Sequence, residues 1–120
     1  MVLVDTSVWV SHLRESNSIL EQYLNKGEVI SHPFVIGELA CGNIKNRSEI
    51  LSLFGALPKS DTLTDEEVLF FIEKNSLMGK GLGLIDIHLL ASAILSKSGL
   101  WTLDVKLRQE AHILGISCEY

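Results

Sequence analysis

The sequence of 120 residues has only two cysteines, two prolines and no long apolar run. Cys41 and Cys118 share no spacing typical of a disulfide framework or a structural zinc site, which favours a reducing compartment. No apolar stretch approaches the roughly 18 to 20 residues that a membrane-spanning helix needs. No basic segment precedes an apolar one at the start of the chain, so we expect no signal peptide, no membrane association and a cytoplasmic location.

Positive charge is also scarce. Ten lysines and arginines stand against 15 aspartates and glutamates, and the formal net charge is −5. This balance argues against a protein that binds nucleic acid through bulk positive charge. Apolar residues make up 47% of the chain, which is far too many for a disordered protein. The length fits a single hydrophobic core, so we expect one domain spanning residues 1–120.

Short apolar runs alternate with segments of helical spacing along the chain. This alternation predicts a single-domain α/β fold with a mostly parallel central sheet of about four to five strands and helices on both faces. Thr6 and Ser7 are expected to cap a first helix from about residue 8 to residue 14. The expected strands are 2–4, 28–31, 56–58, 100–103 and 116–119. One further helix is expected within the stretch 44–54, starting near Ser48. The other expected helices are 18–26, 33–41, 65–77, 86–96 and 105–114.

Four carboxylates stand where such a fold concentrates its chemistry. Asp5 and Asp104 each end a predicted strand, and the carboxyl ends of parallel strands meet at one edge of a sheet. Glu38 falls on or beside the apolar stripe of its helix, where a buried carboxylate needs a partner or a metal. Asp86 begins a nearly all-apolar helix, which places it inside the protein or at the floor of a cleft. Each aspartate taken alone could be a helix N-cap, and Glu38 could reach water from the margin of its stripe.

Four carboxylates at one sheet edge together predict a site for a divalent cation. Like charges at close range repel and raise each other's pKa, and a hard cation relieves that repulsion. Mg²⁺ and Mn²⁺ prefer oxygen ligands and keep several waters, a combination that suits phosphodiester hydrolysis. Thr6, Ser7 and Thr102 are candidates for the hydrogen bonds that support the ligands and orient a water.

The segments that carry these acids resemble the motifs of the PIN domain family. In chain order they are Val2-Leu3-Val4-Asp5-Thr6-Ser7, the segment 35–42 around Glu38, Asp86 with its small and apolar helix, and Thr102-Leu103-Asp104. The resemblance covers essentially the whole chain, and the Asp-Thr-Ser opening is most similar to VapC-type toxins of toxin–antitoxin pairs. Two positions depart from the common pattern. A larger residue follows Asp86, and no aromatic residue stands three positions after Asp104.

This resemblance implies a PIN-like fold and an endoribonuclease that depends on Mg²⁺ or Mn²⁺. It implies that Asp5, Glu38, Asp86 and Asp104 carry both the metal and the catalysis. It also implies RNA as the substrate, a homodimer, and a small VapB-type antitoxin whose tail blocks the acidic pocket. The basic side chains that we consider candidates for RNA contacts are Arg14, Lys45, Arg47, Lys80, Lys106 and Arg108.

Two other functions remain open at this point. A receiver-type signalling domain has the same length and an acidic Mg²⁺ pocket, but it needs an acidic pair at the end of the first strand, where Asp5 stands without an adjacent acid. A PIN fold kept only for RNA or protein binding is the other alternative, although such a module has no need of four carboxylates in one cleft. The four histidines lack metal-ligand spacing and are expected to be packed or on the surface.

Overall fold

The structure is a computed structural model that describes residues 1–118, and these residues form three strands and seven helices. In chain order the elements are β1 (Val2–Val4), α1 (Thr6–Arg14), α2 (Ser18–Asn25), β2 (Val29–Ile30), α3 (Pro33–Cys41), α4 (Arg47–Ala56), α5 (Asp65–Lys74), α6 (Leu84–Leu95), β3 (Gly99–Trp101) and α7 (Val105–Ile113). The predicted alternation of strands and helices is therefore present.

The three strands form a parallel sheet with β1 in the centre, in the order β2-β1-β3. Val2 pairs with Val29 on one side and with Gly99 on the other. Because all three strands run in the same direction, their carboxyl ends lie at one edge of the sheet. The chain leaves β1 into α1 and leaves β3 toward α7 at that edge, which is where sites form in open α/β sheets.

The edge strand expected at 56–58 is wrong, because Ala56 is the last residue of α4 and the pairing here is a single parallel bridge at Lys59. The strand expected at 116–119 is reduced to a single parallel bridge. The bridges join Ser31 to Lys59 and Leu100 to Ser117. Pro58 has no N–H to donate, so it joins the edge only by accepting a hydrogen bond from the Ser31 N–H at 2.8 Å. Glu119, the end of the last expected strand, lies outside the described residues.

The core surrounds β1, whose three residues are at most 1% exposed. Burial on both faces of a continuous apolar strand is typical of parallel sheets. The most apolar helix, α6, is buried without interruption from Ile87 to Ala93. Within residues 1–118 no helix combines the length and the apolarity that crossing a membrane requires.

Two helix starts differ from those expected. Helix α1 begins at Thr6, because Asp5 is its N-cap residue, so the prediction that Thr6 and Ser7 cap a helix from residue 8 is wrong. Helix α6 begins at Leu84, and Asp86 lies within its first turn. The Asp86 carboxylate accepts a hydrogen bond from the Gly83 N–H at 3.1 Å, as the third residue of a capping box does.

Candidate active site

Asp5 follows β1 directly and has a nearly buried side chain, 7% exposed. Its Oδ2 accepts two hydrogen bonds of 2.7 Å, one from the Ser7 hydroxyl and one from the Thr102 hydroxyl. Its backbone N–H donates to the Trp101 carbonyl oxygen at 2.9 Å. Although Asp5 holds the N-cap position of α1, its side chain makes no capping bond. The carboxylate is therefore held between the central strand and its neighbour β3, and it has a role other than capping.

The same two hydroxyls fix the segment that follows β3. Each hydroxyl hydrogen is used on Asp5, so each oxygen can accept a backbone N–H. Ser7 Oγ accepts from the Leu103 N–H at 3.0 Å, and Thr102 Oγ1 accepts from the Asp104 N–H at 3.1 Å. No described residue donates to Oδ1 of Asp5, which leaves this oxygen available to a ligand.

Glu38 lies on α3 beside the apolar stripe and not within it. Val35 and Leu39 are buried, whereas the Glu38 side chain is exposed, so Glu38 takes the position at the margin of the stripe that the sequence had left open. Its Oε1 accepts a hydrogen bond of 2.7 Å from the Thr6 hydroxyl at the start of α1. Because Thr6 follows Asp5 directly in the chain, this bond ties Glu38 to the segment that carries Asp5.

Asp86 shows that the four acids share one electrostatic environment. Burial raises the pKa of its carboxyl above the usual 3.8, and the negative charges of Asp5, Asp104 and Glu38 raise it further. The hydrogen bond from the Gly83 N–H acts in the opposite direction. The fold therefore brings together four carboxylates from the ends of two strands and from two helices.

Asp104 combines two of the interpretations that the sequence left open. It is the N-cap of α7, and its Oδ1 accepts from the Leu107 N–H at 2.9 Å. Its side chain is nevertheless exposed and contributes to the raised pKa of Asp86. A capping carboxylate can therefore also belong to the acidic site.

Comparisons with known proteins identify the family of this chain. A family model described as the PIN domain matches residues 2–112. The chain belongs to the PIN domain family. Two relatives, both named Ribonuclease VapC32 and found in two strains of Mycobacterium tuberculosis, are each 41% identical over 118 residues, or 98% of this chain and 95% of theirs. The family predicted from the motifs is confirmed.

The fold of this PIN domain is also that of a solved structure. PAE2754 from Pyrobaculum aerophilum matches with a TM-score of 0.61 at 19% identity, over 91% of this chain and 78% of that one. At this identity the likeness concerns the fold alone, and it confirms the predicted PIN-like α/β architecture.

The donor set of this PIN domain fits a hard divalent cation bound partly through water. In the described part of the chain, no three acidic, histidine or cysteine side chains are arranged to hold a metal ion by themselves. Mg²⁺ commonly takes only one or two protein carboxylates and keeps the rest of its waters. Oδ1 of Asp5 is available, Glu38 and Asp104 are exposed, and the raised pKa of Asp86 reflects negative charge that a cation would offset.

The basic residues considered for RNA contacts lie in different surroundings. The Arg47 guanidinium donates to the Gly42 carbonyl oxygen at 2.9 Å and to the Ala40 carbonyl oxygen, so it holds the carboxyl end of α3. Lys80 forms an ion pair of 3.2 Å with Glu110. The side chains of Arg47 and Lys80 are therefore both engaged by contacts within the chain.

The other four basic residues have different positions relative to the acids. Arg14 and Lys45 line the same cleft as Glu38. Lys106 lies against Gly81, where an added β-carbon would come within 2.6 Å of its Nζ, so it covers the loop that leads to α6. Arg108 is half-buried on α7.

A contact that the sequence did not indicate joins α3 to α6. His32, the N-cap of α3, is 1% exposed, and its Nδ1 accepts from the Phe34 N–H at 3.0 Å. Nε2 must then carry the proton of the neutral ring, and it lies 3.1 Å from the Ser92 hydroxyl. Burial, together with the nearby His88, lowers the pKa of His32 to about 4. Of the two positions expected for the histidines, packed or on the surface, His32 takes the packed one. Its position directly before Pro33 is the sequence signal that indicates the cap.

The hydroxyl of Thr102 supplies a test of this arrangement. Thr102→Val should lower the free energy of unfolding by about 1–3 kcal/mol, because Asp5 loses a donor and the Asp104 N–H loses its acceptor. Affinity for Mn²⁺ should fall about 10- to 100-fold, as for other losses of ligand support. Denaturant unfolding and calorimetric titration measure the two effects. Thr102→Ser keeps the hydroxyl and should restore both; equal losses in the two variants would contradict this role.

The raised pKa of Asp86 predicts that its charge destabilises the metal-free protein. The pKa of Asp86 is higher in the folded protein than in the unfolded chain, so ionisation of this carboxyl lowers the free energy of unfolding. This loss of stability is absent below pH 3.8, grows as the pH rises through the folded pKa and is complete above it. Asp86→Asn should therefore raise the melting temperature at pH 7 in the presence of EDTA, and the gain should shrink toward pH 4. Thermal unfolding checks this, with Asp61→Asn, at an exposed aspartate, as the control. A lower melting temperature for Asp86→Asn would contradict the prediction.

Proposed function

We propose that this PIN domain is a metal-dependent endoribonuclease and the toxin of a toxin–antitoxin pair, with Asp5, Glu38, Asp86 and Asp104 as its catalytic and metal-binding residues. The observation that carries the proposal is the placing of the four carboxylates around Asp5, whose Oδ2 is held by two hydroxyls at 2.7 Å while Oδ1 is left for a ligand. The raised pKa of Asp86, to which the other three acids contribute, agrees with this placing. The 41% identity to Ribonuclease VapC32 over nearly the full length supports RNA as the substrate. A module used only for binding would have no reason to keep this unfavourable concentration of negative charge.

The four carboxylates would hold Mg²⁺ or Mn²⁺, one or two of them directly and the others through the waters of the ion, because these oxygen-preferring ions keep several waters. When bound, the ion supplies charge for the phosphate and lowers the pKa of a water. Within the chain, Ser7 and Thr102 hold Asp5 through Oδ2, which leaves Oδ1 for the ligand. Thr6 orients Glu38 in the same way.

Asp86 would act as one of the carboxylates around this cation. The Gly83 N–H engages Oδ2 of its carboxylate, which leaves the other oxygen for the ion or for one of its waters. Burial and the neighbouring acids raise the pKa of Asp86, and a cation would offset the negative charge of those acids.

The proposal includes the partners that the family resemblance implied. The acidic pocket would be neutralised by the tail of a VapB-type antitoxin, and two copies of the domain at residues 1–120 would form a homodimer. The receiver-type alternative is not supported, because the chain belongs to the PIN family and no second acid adjoins Asp5. The proposal also keeps the cytoplasmic location expected from the sequence.

Cleavage of RNA by the purified protein tests the central proposal. We expect cleavage with Mg²⁺ or Mn²⁺, none with EDTA, and a rate at least about 100-fold lower for Asp5→Asn and Asp86→Asn. Gel analysis of a labelled RNA follows the reaction, and Asp61→Asn serves as the control outside the site. If both site variants cleave RNA and bind metal like the unaltered protein, the proposed site is wrong.

The charge balance predicts how RNA binding depends on salt. Without the four site carboxylates, 11 acids face ten bases, a net charge of −1, so few phosphates can be neutralised. If Arg14 and Lys45 supply the two main contacts, the slope of log affinity against log salt should be roughly −1.4, from about −0.7 per contact on a single strand. Fluorescence anisotropy with a short labelled RNA measures this slope. A slope near −4 would mean that many more side chains contact phosphate than we expect.

A further inference from the structure

A cleft of about 400 Å³ opens beside Glu38, between α1, α3 and the loop that leads to α4. This volume lies within the range of sites that bind small molecules. Residues on its walls include Val10, Leu13, Arg14, Leu39, Ile44 and Lys45. Because Glu38 also lines the cleft, the cleft is continuous with the acidic site.

The two basic residues of the cleft are available to a ligand. Arg14 and Lys45 are exposed, and neither forms an ion pair or a side-chain hydrogen bond within residues 1–118. This contrasts with Arg47 and Lys80, which are engaged by contacts within the chain. Two free cations on one cleft of an otherwise acidic protein favour an anionic ligand over an uncharged one.

The rest of the cleft wall includes aliphatic side chains. Val10 and Ile44 are half-buried and Leu13 is 38% exposed, so these three offer aliphatic surface to a flat ring, whereas Leu39 is buried. Asn43 also lines the cleft, and an amide can both donate to and accept from the edge of a base. Aliphatic surface beside two cations and an amide matches a nucleotide, which combines an apolar ring face with polar edges and a phosphate.

We propose that this cleft is a nucleotide subsite, which holds the base of an RNA residue next to the cleaved phosphate while Arg14 and Lys45 contact the flanking phosphates. The inference rests on the proposed ribonuclease function and adds to it a place where the substrate is held. Continuity with Glu38 and the sign of the free charges favour RNA over a protein segment as the occupant. Specificity for the base would come from Asn43 and from the shape of the apolar wall.

The first experiment separates binding from catalysis. In Arg14→Gln/Lys45→Gln, the KM for a fluorogenic RNA should rise about tenfold with kcat unchanged, because the contacts are made equally in the ground and transition states. The salt slope of RNA binding, measured with the inactive Asp5→Asn background, should move toward zero by about 1.4. Lys26→Gln/Lys97→Gln removes the same charge from exposed positions elsewhere and should leave KM unchanged.

The second experiment locates the base. Short RNAs with one abasic position each should bind the Asp5→Asn protein about five- to tenfold more weakly at a single position. Ile44→Ser should remove that position dependence, and Leu13→Ser provides a second variant at an exposed wall residue. If both variants lose the dependence of affinity on the abasic position, the result supports the subsite. If both variants keep that dependence, the subsite is overturned.

The outcomes distinguish this inference from the proposed function. If the unaltered protein does not cleave RNA, the proposed function fails and the inference fails with it. If it cleaves RNA but the cleft variants behave like the lysine control, only the subsite is overturned. A cleft variant that loses affinity for a co-expressed antitoxin while binding RNA normally would assign the cleft to a protein partner, and this too overturns the nucleotide subsite.

Discussion

The site depends first on one nearly buried carboxylate, Asp5, at the end of the central strand. A carboxylate that is 7% exposed needs hydrogen bonds, and two hydroxyl groups supply them at 2.7 Å. One hydroxyl comes from α1 and the other follows β3, so the two bonds tie together segments 95 residues apart in the sequence. The same hydroxyls then accept backbone N–H groups from the chain around Asp104. Loss of this clamp would disturb two of the four acids at once.

The other two acids reach the site on helices, and a separate buried contact fixes those helices. Glu38 lies on α3 and Asp86 on α6. The His32 ring caps α3 and contacts Ser92 on α6, at a position 0% exposed. Aromatic contacts continue from His32 to Phe34 and from Phe34 to His88, with ring centroids 5.3 and 4.7 Å apart. The spacing between the two acid-bearing helices therefore depends on a packed polar contact with defined partners.

Much of this arrangement could be predicted from local sequence. Helix α3 has the bounds expected for it, because Pro33 suits the first turn and Gly42 follows its end. Asp5 and Asp104 could be placed at one sheet edge because the carboxyl ends of parallel strands lie together. That prediction requires only the positions of the strands in the sequence. The acids and their order along the chain are likewise properties of local segments, and these were enough to suggest the family.

The remainder depends on contacts between distant parts of the chain. Helical spacing placed Glu38 near the core stripe, but only the packing of α1 against α3 shows that it faces outward to Thr6. The sequence left Thr6 and Ser7 with two roles, as helix caps and as support for the ligands, and only the contacts in the fold show which carboxylate each hydroxyl serves. Arg47 and Lys80 looked as free as Arg14 for the same reason.

Burial has opposite consequences for the two kinds of titratable group near this site. It lowers the pKa of His32 to about 4, so the ring stays neutral at neutral pH and its contact with Ser92 does not change with protonation there. It raises the pKa of Asp86, and the neighbouring acids add to that shift. The contact between His32 and Ser92, which joins α3 to α6, is thus insensitive to pH near neutrality. The repulsion between like charges acts on the four carboxylates and not on this contact. A cation would act on that repulsion without altering the scaffold, and this explains how a protein of net charge −5 can present a site for an anionic substrate.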